Sequence, residues 1–266
     1  MKTLTIIPYA GLGNRIRAIA SGVFISQILN AESTIIYWNK TKDCYANFHD
    51  LFKPIALPNI ILKENTSLLN KIATKNNLFI PKIIQKLYYD QCIYNFNKNK
   101  DGDITNIIKA KSKLLLYSCH SMSNHYNLKN IFIPTNEIEA EIKDVTKAFN
   151  NTIGVHIRRT DNINSIQQSS NESFIKKLNQ EIDLNNKVQF YLATDDIQVK
   201  KFFLKTYGDR IITCWDDIDR NTLKGMKSAV KDLFCLSSTN KIIGSAYSSY
   251  SEIAAELGNI SLEIAK

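Results

Sequence analysis

Blocks of apolar and polar residues alternate along the chain and predict strands and helices in turn. Short apolar runs bounded by polar or turn residues are typical of buried strands, and they occupy residues 4–8, 34–37, 114–117, 188–193, 210–213 and 241–244. Apolar residues at intervals of three and four predict helices over residues 14–29, 136–149, 172–182, 197–207, 222–236 and 252–257. Strands that alternate with helices predict an α/β protein with parallel sheets.

The pattern is weakest between Cys44 and Leu128, where several prolines interrupt it. Residues 82–94 are consistent with a helix that has an aromatic face, and we interpret this face as core. Residues 162–171 form a polar stretch, which predicts a loop. Polar loops that follow a ligand-bearing strand often close over a substrate.

The most informative stretch begins with the apolar run 152–155, which predicts another short buried strand. His156, Arg158, Arg159 and Asp161 follow it, at the end of a strand where ligands sit in open α/β sheets. Two adjacent guanidinium groups suit a phosphate or a diphosphate, and Asp161 can hold one of them in place. The alternative is a pair of solvated surface arginines.

A glycine-containing turn at residues 9–13 connects the first strand to the first helix. A Walker loop is excluded because no Gly-Lys-Ser/Thr follows, and a dinucleotide fingerprint lacks the acid expected after the second strand. A plain strand-to-helix turn remains an alternative. The polar pair Asn14 and Arg15, directly after Gly13, favours a substrate or phosphate contact at the start of the helix.

Three acidic residues are candidates for site chemistry. Asp195 and Asp196 follow the strand at 188–193; they can be metal ligands, but we favour Asp195 orienting site groups and Asp196 capping the next helix. Asp232 lies among apolar neighbours on a predicted helix. It is either a solvent-facing acid, beside an outward-pointing Lys231, or a buried carboxylate that needs a polar partner.

A hydroxyl-rich turn at residues 245–251 precedes the last predicted helix. Ser248 and Ser249 would add side-chain hydroxyls to the N–H groups of that helix terminus, which makes a second anion site. His120 and His125 lie in a polar loop, and we favour solvent exposure over an acceptor-site role for them.

Composition narrows the class of protein. The chain has 266 residues, is 44% hydrophobic and 10% aromatic, and has a formal charge of +9, carried mostly by scattered lysines. Such a basic surface favours anionic ligands, such as nucleotide diphosphates or a membrane headgroup face. The lysines form no stripe interleaved with aromatic residues, so we do not expect nucleic-acid binding.

Cysteine spacing and apolar run lengths indicate the compartment. The five cysteines are widely spaced with no C-x-x-C pair, which predicts buried reduced thiols rather than a zinc site or a disulfide framework. No apolar run approaches the roughly 20 residues of a spanning helix, and the first residues do not form a signal peptide. We expect a cytoplasmic protein with peripheral contact with the inner membrane face.

Four stretches, YAGLGNRIRAIASG, GVHIRRTDN, FYLATDD and KDLFCLSSTNKIIGSAYSSYSEIAAE, occur in an order that resembles the fucosyltransferase superfamily. That superfamily includes α1,6-, α1,2- and protein O-fucosyltransferases, and the α1,6 group, with its nodulation-type enzymes, is the most similar by motif. The resemblance implies a GT-B fold, with two Rossmann-like parallel-sheet domains facing across a cleft. We place an acceptor-side domain at residues 1–135 and a GDP-sugar-binding domain at residues 136–266, with a single doubly wound domain as the alternative.

The resemblance also implies chemistry. It implies that a sugar, in the first place fucose, is transferred with inversion from a GDP-sugar to a glycan or lipid-linked glycan, as part of polysaccharide biosynthesis. It also implies that the reaction needs no metal and no other cofactor. Arg158 and Arg159 would neutralise the diphosphate leaving group. The remaining donor-binding residues that it implies are Gly13, Asn14, Arg15, His156, Asp195, Asp232 as the guanine-reading acid, Ser248 and Ser249.

The chain departs from the animal α1,6 enzymes at two points. It lacks their additional domains, so the acceptor cannot be carried over. Their catalytic base corresponds to a position near Ile166, which cannot act, so the base remains open between Asp161 and Glu172. A different GDP-sugar, such as GDP-mannose or a GDP-heptose, and a non-catalytic nucleotide- or glycan-binding module remain alternatives.

Overall fold

The computed structural model describes residues 2–64, 82–108, 112–123, 128–160 and 163–266. The chain divides into two compact units. Unit 1 comprises Met1–Thr135 and Arg220–Leu223, and unit 2 comprises Asn136–Asp219 and Lys224–Lys266. Each unit contains a five-stranded sheet in which every pair of neighbouring strands is parallel. The predicted α/β class with parallel sheets is therefore confirmed.

The sheet of unit 1 has the strand order β3-β2-β1-β5-β4. Its strands are β1 (Thr3–Pro8), β2 (Ser33–Trp38), β3 (Ile60–Glu64), β4 (Gln91–Tyr94) and β5 (Lys113–Ser118). Its helices are α1 (Leu12–Ile28), α2 (Phe48–Leu51), α3 (Lys82–Tyr88) and α4 (Lys98–Asp101), with a 3-10 turn at Ile104–Asn106.

The sheet of unit 2 has the strand order β10-β9-β6-β7-β8. Its strands are β6 (Thr152–Ile157), β7 (Gln189–Thr194), β8 (Ile211–Ile212), β9 (Lys241–Gly244) and β10 (Ser261–Ile264). Its helices are α5 (Asn136–Thr146), α6 (Ile163–Gln168), α7 (Asn171–Leu184), α8 (Ile197–Tyr207), α9 (Leu223–Ser237) and α10 (Ser249–Gly258), with a 3-10 turn at Gly208–Arg210.

The strands that the sequence pattern predicts are present, and the three that it missed share one property. β3, β4 and β10 all lie at the edge of a sheet. Their residues are mostly half-buried or exposed, so they produce no continuous apolar run. The predicted strand at 210–213 is also shorter than expected and forms the remaining edge, β8.

Two further predictions are wrong in detail. The helix expected over residues 82–94 ends at Tyr88, and β4 follows it and pairs with β5. The polar stretch expected to be a loop contains α6. That helix buries Ser165 completely while Ile163 is 70% exposed, so its apolar residues do not show the spacing of an amphipathic helix.

Side-chain alternation along β6 sets the position of the candidate site. Ile153, Val155 and Ile157 belong to one hydrophobic cluster of unit 2, together with residues of α7 and α8. Because side chains alternate along a strand, His156 points to the opposite face, where it contacts α10. A single buried strand thus packs the core with one face and supplies the site with the other.

The cysteines are free thiols, and Cys44, Cys119 and Cys235 are buried while Cys92 and Cys214 are partly exposed. No helix in the described ranges is long and apolar enough to cross a membrane.

Candidate functional site

The candidate site of unit 2 lies at the carboxyl edge of its sheet, where β6, β7 and β9 end. The backbone N–H of Arg158 donates to Ser245 Oγ at 3.0 Å, and the N–H of Ser245 donates to the carbonyl of His156 at 3.1 Å. These bonds join the segment after β6 to the segment after β9. The structure therefore brings two of the sequence-predicted stretches together.

His156 is a buried polar residue beside the start of α10. Its Nδ1 lies 2.7 Å from Ser251 Oγ and 3.5 Å from Ser248 Oγ, and its ring packs against that of Tyr250 at 4.7 Å. Burial lowers the pKa of His156 to about 4, although the charge of Asp195 opposes that shift. The imidazole is therefore neutral at physiological pH and serves as a hydrogen-bonding group, not as a cation.

The N-terminus of α10 is the candidate anion site. Ser248 occupies the N-cap position but makes no side-chain capping hydrogen bond, and Ser249 begins the helix. The first N–H groups of a helix have no partner within it and carry partial positive charge. Gly244 permits the close approach of this helix, because a Cβ there would lie 2.7 Å from Ser251 Oγ.

The two arginines have different surroundings. The guanidinium of Arg159 donates to Asn171 Oδ1 at 2.7 and 3.3 Å and to the carbonyl of Arg158 at 2.9 Å. It also lies 5.8 Å from the ring centre of Phe174. Arg159 thus ties the segment after β6 to the start of α7, and the N–H of Arg158 ties the same segment to Ser245, after β9.

Asp195 holds the same segment from β7. Its Oδ1 accepts from the N–H of Arg159 at 2.7 Å, and its Oδ2 accepts from the hydroxyl of Thr160 at 2.6 Å. Asp196 accepts from two N–H groups at the start of α8, which confirms the predicted cap. Within the described residues, no group of three or more His, Cys, Asp or Glu side chains is arranged to hold a metal ion.

Asp232, on α9, is close to β7. Tyr191 donates its hydroxyl to Asp232 Oδ1 at 2.6 Å. Part of Asp232 remains exposed, but burial raises the pKa of its carboxyl group to about 6, against the lowering effects of Tyr191 and Lys200. The outward-pointing Lys231 of the alternative interpretation is wrong: Lys231 is 6% exposed and pairs with Asp216 and Glu141.

In unit 1 the structure corrects the interpretation of Arg15. Its side chain is completely buried, and the guanidinium donates to the carbonyls of Ala10 (2.9 Å) and Asn39 (2.7 Å) and to Thr41 Oγ1 (2.8 Å). It also lies 5.0 Å from the ring centre of Trp38. Because its donors are engaged by these three acceptors within unit 1, Arg15 has a structural role.

The partly exposed cation of this helix is Arg17, which the sequence interpretation missed. Arg17 donates to Asn14 Oδ1 at 2.6 Å and to the carbonyl of Cys119, after β5, at 2.8 Å. Gly13 is buried within the first turn of α1, which begins two residues earlier than predicted. The three-residue interval from Asn14 places Arg17 on the same helix face, and this spacing is the signal that could have found it.

The remaining candidates from the sequence are two histidines and two acids considered as the catalytic base. His120 is half-buried next to Cys119, and burial together with Arg17 lowers its pKa. Glu172 is exposed, and a hydrogen bond from Ser170 lowers its pKa, which makes it a weaker base. Asp161 and His125 lie outside the described residues.

Comparisons with known proteins give a structural likeness only. No family profile matches the chain, and no curated protein matches it in sequence. The fucosyltransferase NodZ from Bradyrhizobium has a similar structure, with a TM-score of 0.66 at 16% identity over 96% of this chain and 92% of that chain. A mutant of Arabidopsis thaliana FUT1 in complex with GDP gives 0.65 at 13% identity, over 99% of this chain and 70% of that chain.

POFUT1 in complex with GDP is a third similar structure, with a TM-score of 0.58 at 10% identity, over 99% of this chain and 98% of that chain. NodZ alpha-1,6-fucosyltransferase has been co-crystallised with GDP and soaked with GDP-fucose, and POFUT1 has been solved with GDP-fucose. The likeness confirms what the four sequence stretches implied about architecture: the chain has the GT-B fold of the fucosyltransferases.

Proposed function

We propose that the protein is a glycosyltransferase that moves fucose from GDP-fucose to a hydroxyl of a glycan acceptor, with inversion and without a metal. The observation that carries the proposal is that unit 2 contains both a helix N-terminus without a side-chain cap, at the start of α10, and the half-buried carboxyl group of Asp232. The proteins of similar fold that have been solved with GDP or GDP-fucose support the same donor.

The diphosphate would bind at the carboxyl edge of the unit 2 sheet. We assign three kinds of hydrogen-bond donor to the diphosphate: the guanidinium of Arg158, the first N–H groups of α10, and the hydroxyl groups of Ser248 and Ser249. Negative charge grows on the leaving phosphate as the glycosidic bond breaks, so donors fixed before the reaction stabilise the transition state more than the ground state. Asp195 and Arg159 would position the segment that presents Arg158.

The guanine would bind at Asp232. Guanine presents its N1–H and its N2 amine side by side, and a carboxylate has oxygen lone pairs for both donors in addition to the Tyr191 hydroxyl. The raised pKa of Asp232 is consistent with this role, because a half-buried acid without a strong cationic partner gains most from donors that a ligand brings. Adenine and uracil lack this pair of donors, so Asp232 would select GDP.

The acceptor hydroxyl would attack the anomeric carbon from the face opposite to the departing GDP. Asp161, two residues after Arg159 in the sequence, is the base that we propose, with Glu172 as the alternative. We assign the acceptor to residues 1–135, where Asn14 and Arg17 form a polar pair at the start of α1. Arg17 here replaces Arg15.

Ligand-induced stabilisation provides the test. We expect GDP to raise the melting temperature while ADP and UDP do not, and GDP-fucose to release GDP in the absence of added metal. Hydrolysis of GDP-mannose but not of GDP-fucose would point to the other donor. GDP binding without release from any GDP-sugar would indicate a non-catalytic module, and no binding of GDP would refute the proposal.

A further inference from the structure

Helix α3 of unit 1 exposes an unusual amount of apolar surface. Ile83, Ile84, Leu87 and Tyr88 are 73%, 47%, 84% and 59% exposed. At about 100° per residue, these four positions fall within an arc of about 140° on the helix. Gln85, on the opposite side, is completely buried. The helix therefore packs on unit 1 by a polar residue and turns its apolar face to solvent, the reverse of an ordinary surface helix.

Lysines lie along both sides of this apolar arc. Lys86 is exposed about 60° from Ile83 around the helix, and Lys82, about 100° from Ile83, is exposed with its Nζ 4.9 Å from the ring centre of Tyr94. On the other side, Lys113 Nζ lies 4.6 Å from the ring centre of Tyr88. We call the four apolar residues and these three lysines the α3 surface.

The net charge of the chain is concentrated in the same half of the sequence. Residues 1–135 contain 17 Lys and Arg against 7 Asp and Glu, whereas residues 136–266 contain 17 against 18. The excess of positive charge thus belongs to the part of the chain that carries the α3 surface, and the other half is close to neutral. An anionic partner is electrostatically complementary to this half of the chain.

We propose that the α3 surface is a membrane-docking site that binds a bilayer containing anionic lipids. Apolar side chains on one helix face enter the boundary between headgroups and acyl chains, while flanking lysines pair with anionic headgroups. A nucleic acid would engage the lysines but leave Ile83, Ile84 and Leu87 exposed, so it fits the surface less well. The inference goes beyond the proposed function and does not depend on it.

Vesicle co-sedimentation tests the proposal with the full chain. We expect binding to vesicles of phosphatidylcholine with about one third phosphatidylglycerol, weak binding to phosphatidylcholine alone, and loss of affinity at high salt. The double variant Ile83→Ser/Leu87→Ser should lose about tenfold in affinity or more, because two side chains no longer enter the bilayer. Leu184→Ser is the matched control, since Leu184 is 80% exposed on unit 2.

The charges are tested in the same way. Lys82→Glu/Lys86→Glu should abolish binding to the anionic vesicles. Lys143→Glu/Lys147→Glu should not; Lys143 lies on α5 and Lys147 directly after it, and their side chains are 73% and 72% exposed. Unchanged melting temperatures would show that the variants fold.

The proposal is overturned if the parent protein binds neither kind of vesicle, or if the α3 variants bind as the parent does. It is equally overturned if Ile83→Ser/Leu87→Ser changes only self-association in sedimentation velocity, or if Lys82→Glu/Lys86→Glu changes only RNA binding.

Discussion

Arg158 and Arg159 are adjacent in the sequence, but we assign them different roles. The guanidinium of Arg159 already makes three hydrogen bonds within unit 2, to Asn171 and to the carbonyl of Arg158. Planar donors engaged in this way position a segment. The N–H of Arg158 donates to Ser245, which begins the segment before α10, and we assign the guanidinium of Arg158 to a diphosphate at that helix terminus.

We predict that Arg158→Lys lowers turnover by about a hundredfold in a protein that still folds, because an ammonium group cannot replace a bidentate donor in the transition state. Arg159→Lys should instead lower the free energy of unfolding by about 1–2 kcal/mol, through the lost bonds to Asn171. Turnover and urea denaturation measure the two effects. Arg210→Lys is the control, because Arg210 also makes hydrogen bonds within unit 2, to the carbonyls of Asn186 and Val188, but has no assigned role in the site. Near-normal turnover in Arg158→Lys would contradict the assignment.

The pKa shifts of Asp232 and His156 change the stability of the protein in opposite directions as the pH rises. The folded-state pKa of Asp232, about 6, lies above its ordinary value of 3.8, so the stability that this group contributes is present below pH 3.8 and is lost as the pH rises through 6. The pKa of His156 is lowered to about 4, so its contribution is present above pH 6.5 and is lost as the pH falls toward 4. The two effects partly cancel between these limits.

We predict that Asp232→Asn stabilises the ligand-free protein at pH 8 by up to about 3 kcal/mol, because it removes a carboxylate whose ionisation is unfavourable there. The gain should vanish near pH 4, where the parent carboxyl group is protonated. Denaturation at several pH values measures it. A gain that is independent of pH would contradict the assigned pKa.

The same variant should weaken GDP binding by about tenfold or more at pH 7.5, since hydrogen bonds to a charged group are worth about 1.5–3 kcal/mol each. In the parent, GDP affinity should fall as the pH decreases below 6, because Asp232 becomes protonated. The Asp232→Asn variant should not show the decrease that this protonation causes. The terminal phosphate of GDP also titrates near pH 6 and changes the affinity of both proteins. Calorimetry must therefore compare the pH dependence of the parent with that of the variant. Equal GDP affinity would remove Asp232 from the site.

At the scale of elements, burial decides which parts of α1 can contact a ligand. Arg15 and Arg17 are two residues apart, so they lie on different sides of the helix. Arg15 joins the turn before α1 to the segment after β2, and its burial makes it part of the core. Arg17 stays partly exposed and reaches Asn14.

We predict that Arg15→Lys lowers the free energy of unfolding by about 3 kcal/mol or more, because one ammonium group replaces three directed donors in a buried place. Arg17→Lys should cost about 1 kcal/mol, since its surroundings are partly solvated. Urea denaturation of both variants provides the comparison. Equal stability of Arg15→Lys and the parent would show that Arg15 is not a structural residue.

At the scale of the whole molecule, the proposed function assigns the diphosphate to the guanidinium of Arg158 and to the N–H groups at the start of α10. A guanidinium and a divalent cation stabilise the same developing charge. We therefore predict that EDTA leaves turnover unchanged. Loss of activity that manganese or magnesium restores would contradict this and would return Asp195 and Asp196 to the role of metal ligands.

The sequence alone determined the class of the fold and predicted which segments meet at the candidate site of unit 2. Central parallel strands are buried on both faces, so they appear as apolar runs, and the residues that follow them lie at one edge of the sheet. This is why the segments after β6, β7 and β9 could be assigned to one site before their contacts were known. Edge strands such as β3 and β10 lack that pattern and were missed.

Only the tertiary structure decided how individual polar side chains are used. Arg15 and Arg17, or Arg158 and Arg159, are chemically identical in a sequence, and what separates them is the acceptors that the fold places around each. Lys231 points outward in one of the two interpretations of Asp232, and it instead pairs with two acids from distant segments. Burial and hydrogen-bond partners arise from contacts between residues far apart in the chain, and no local pattern encodes them.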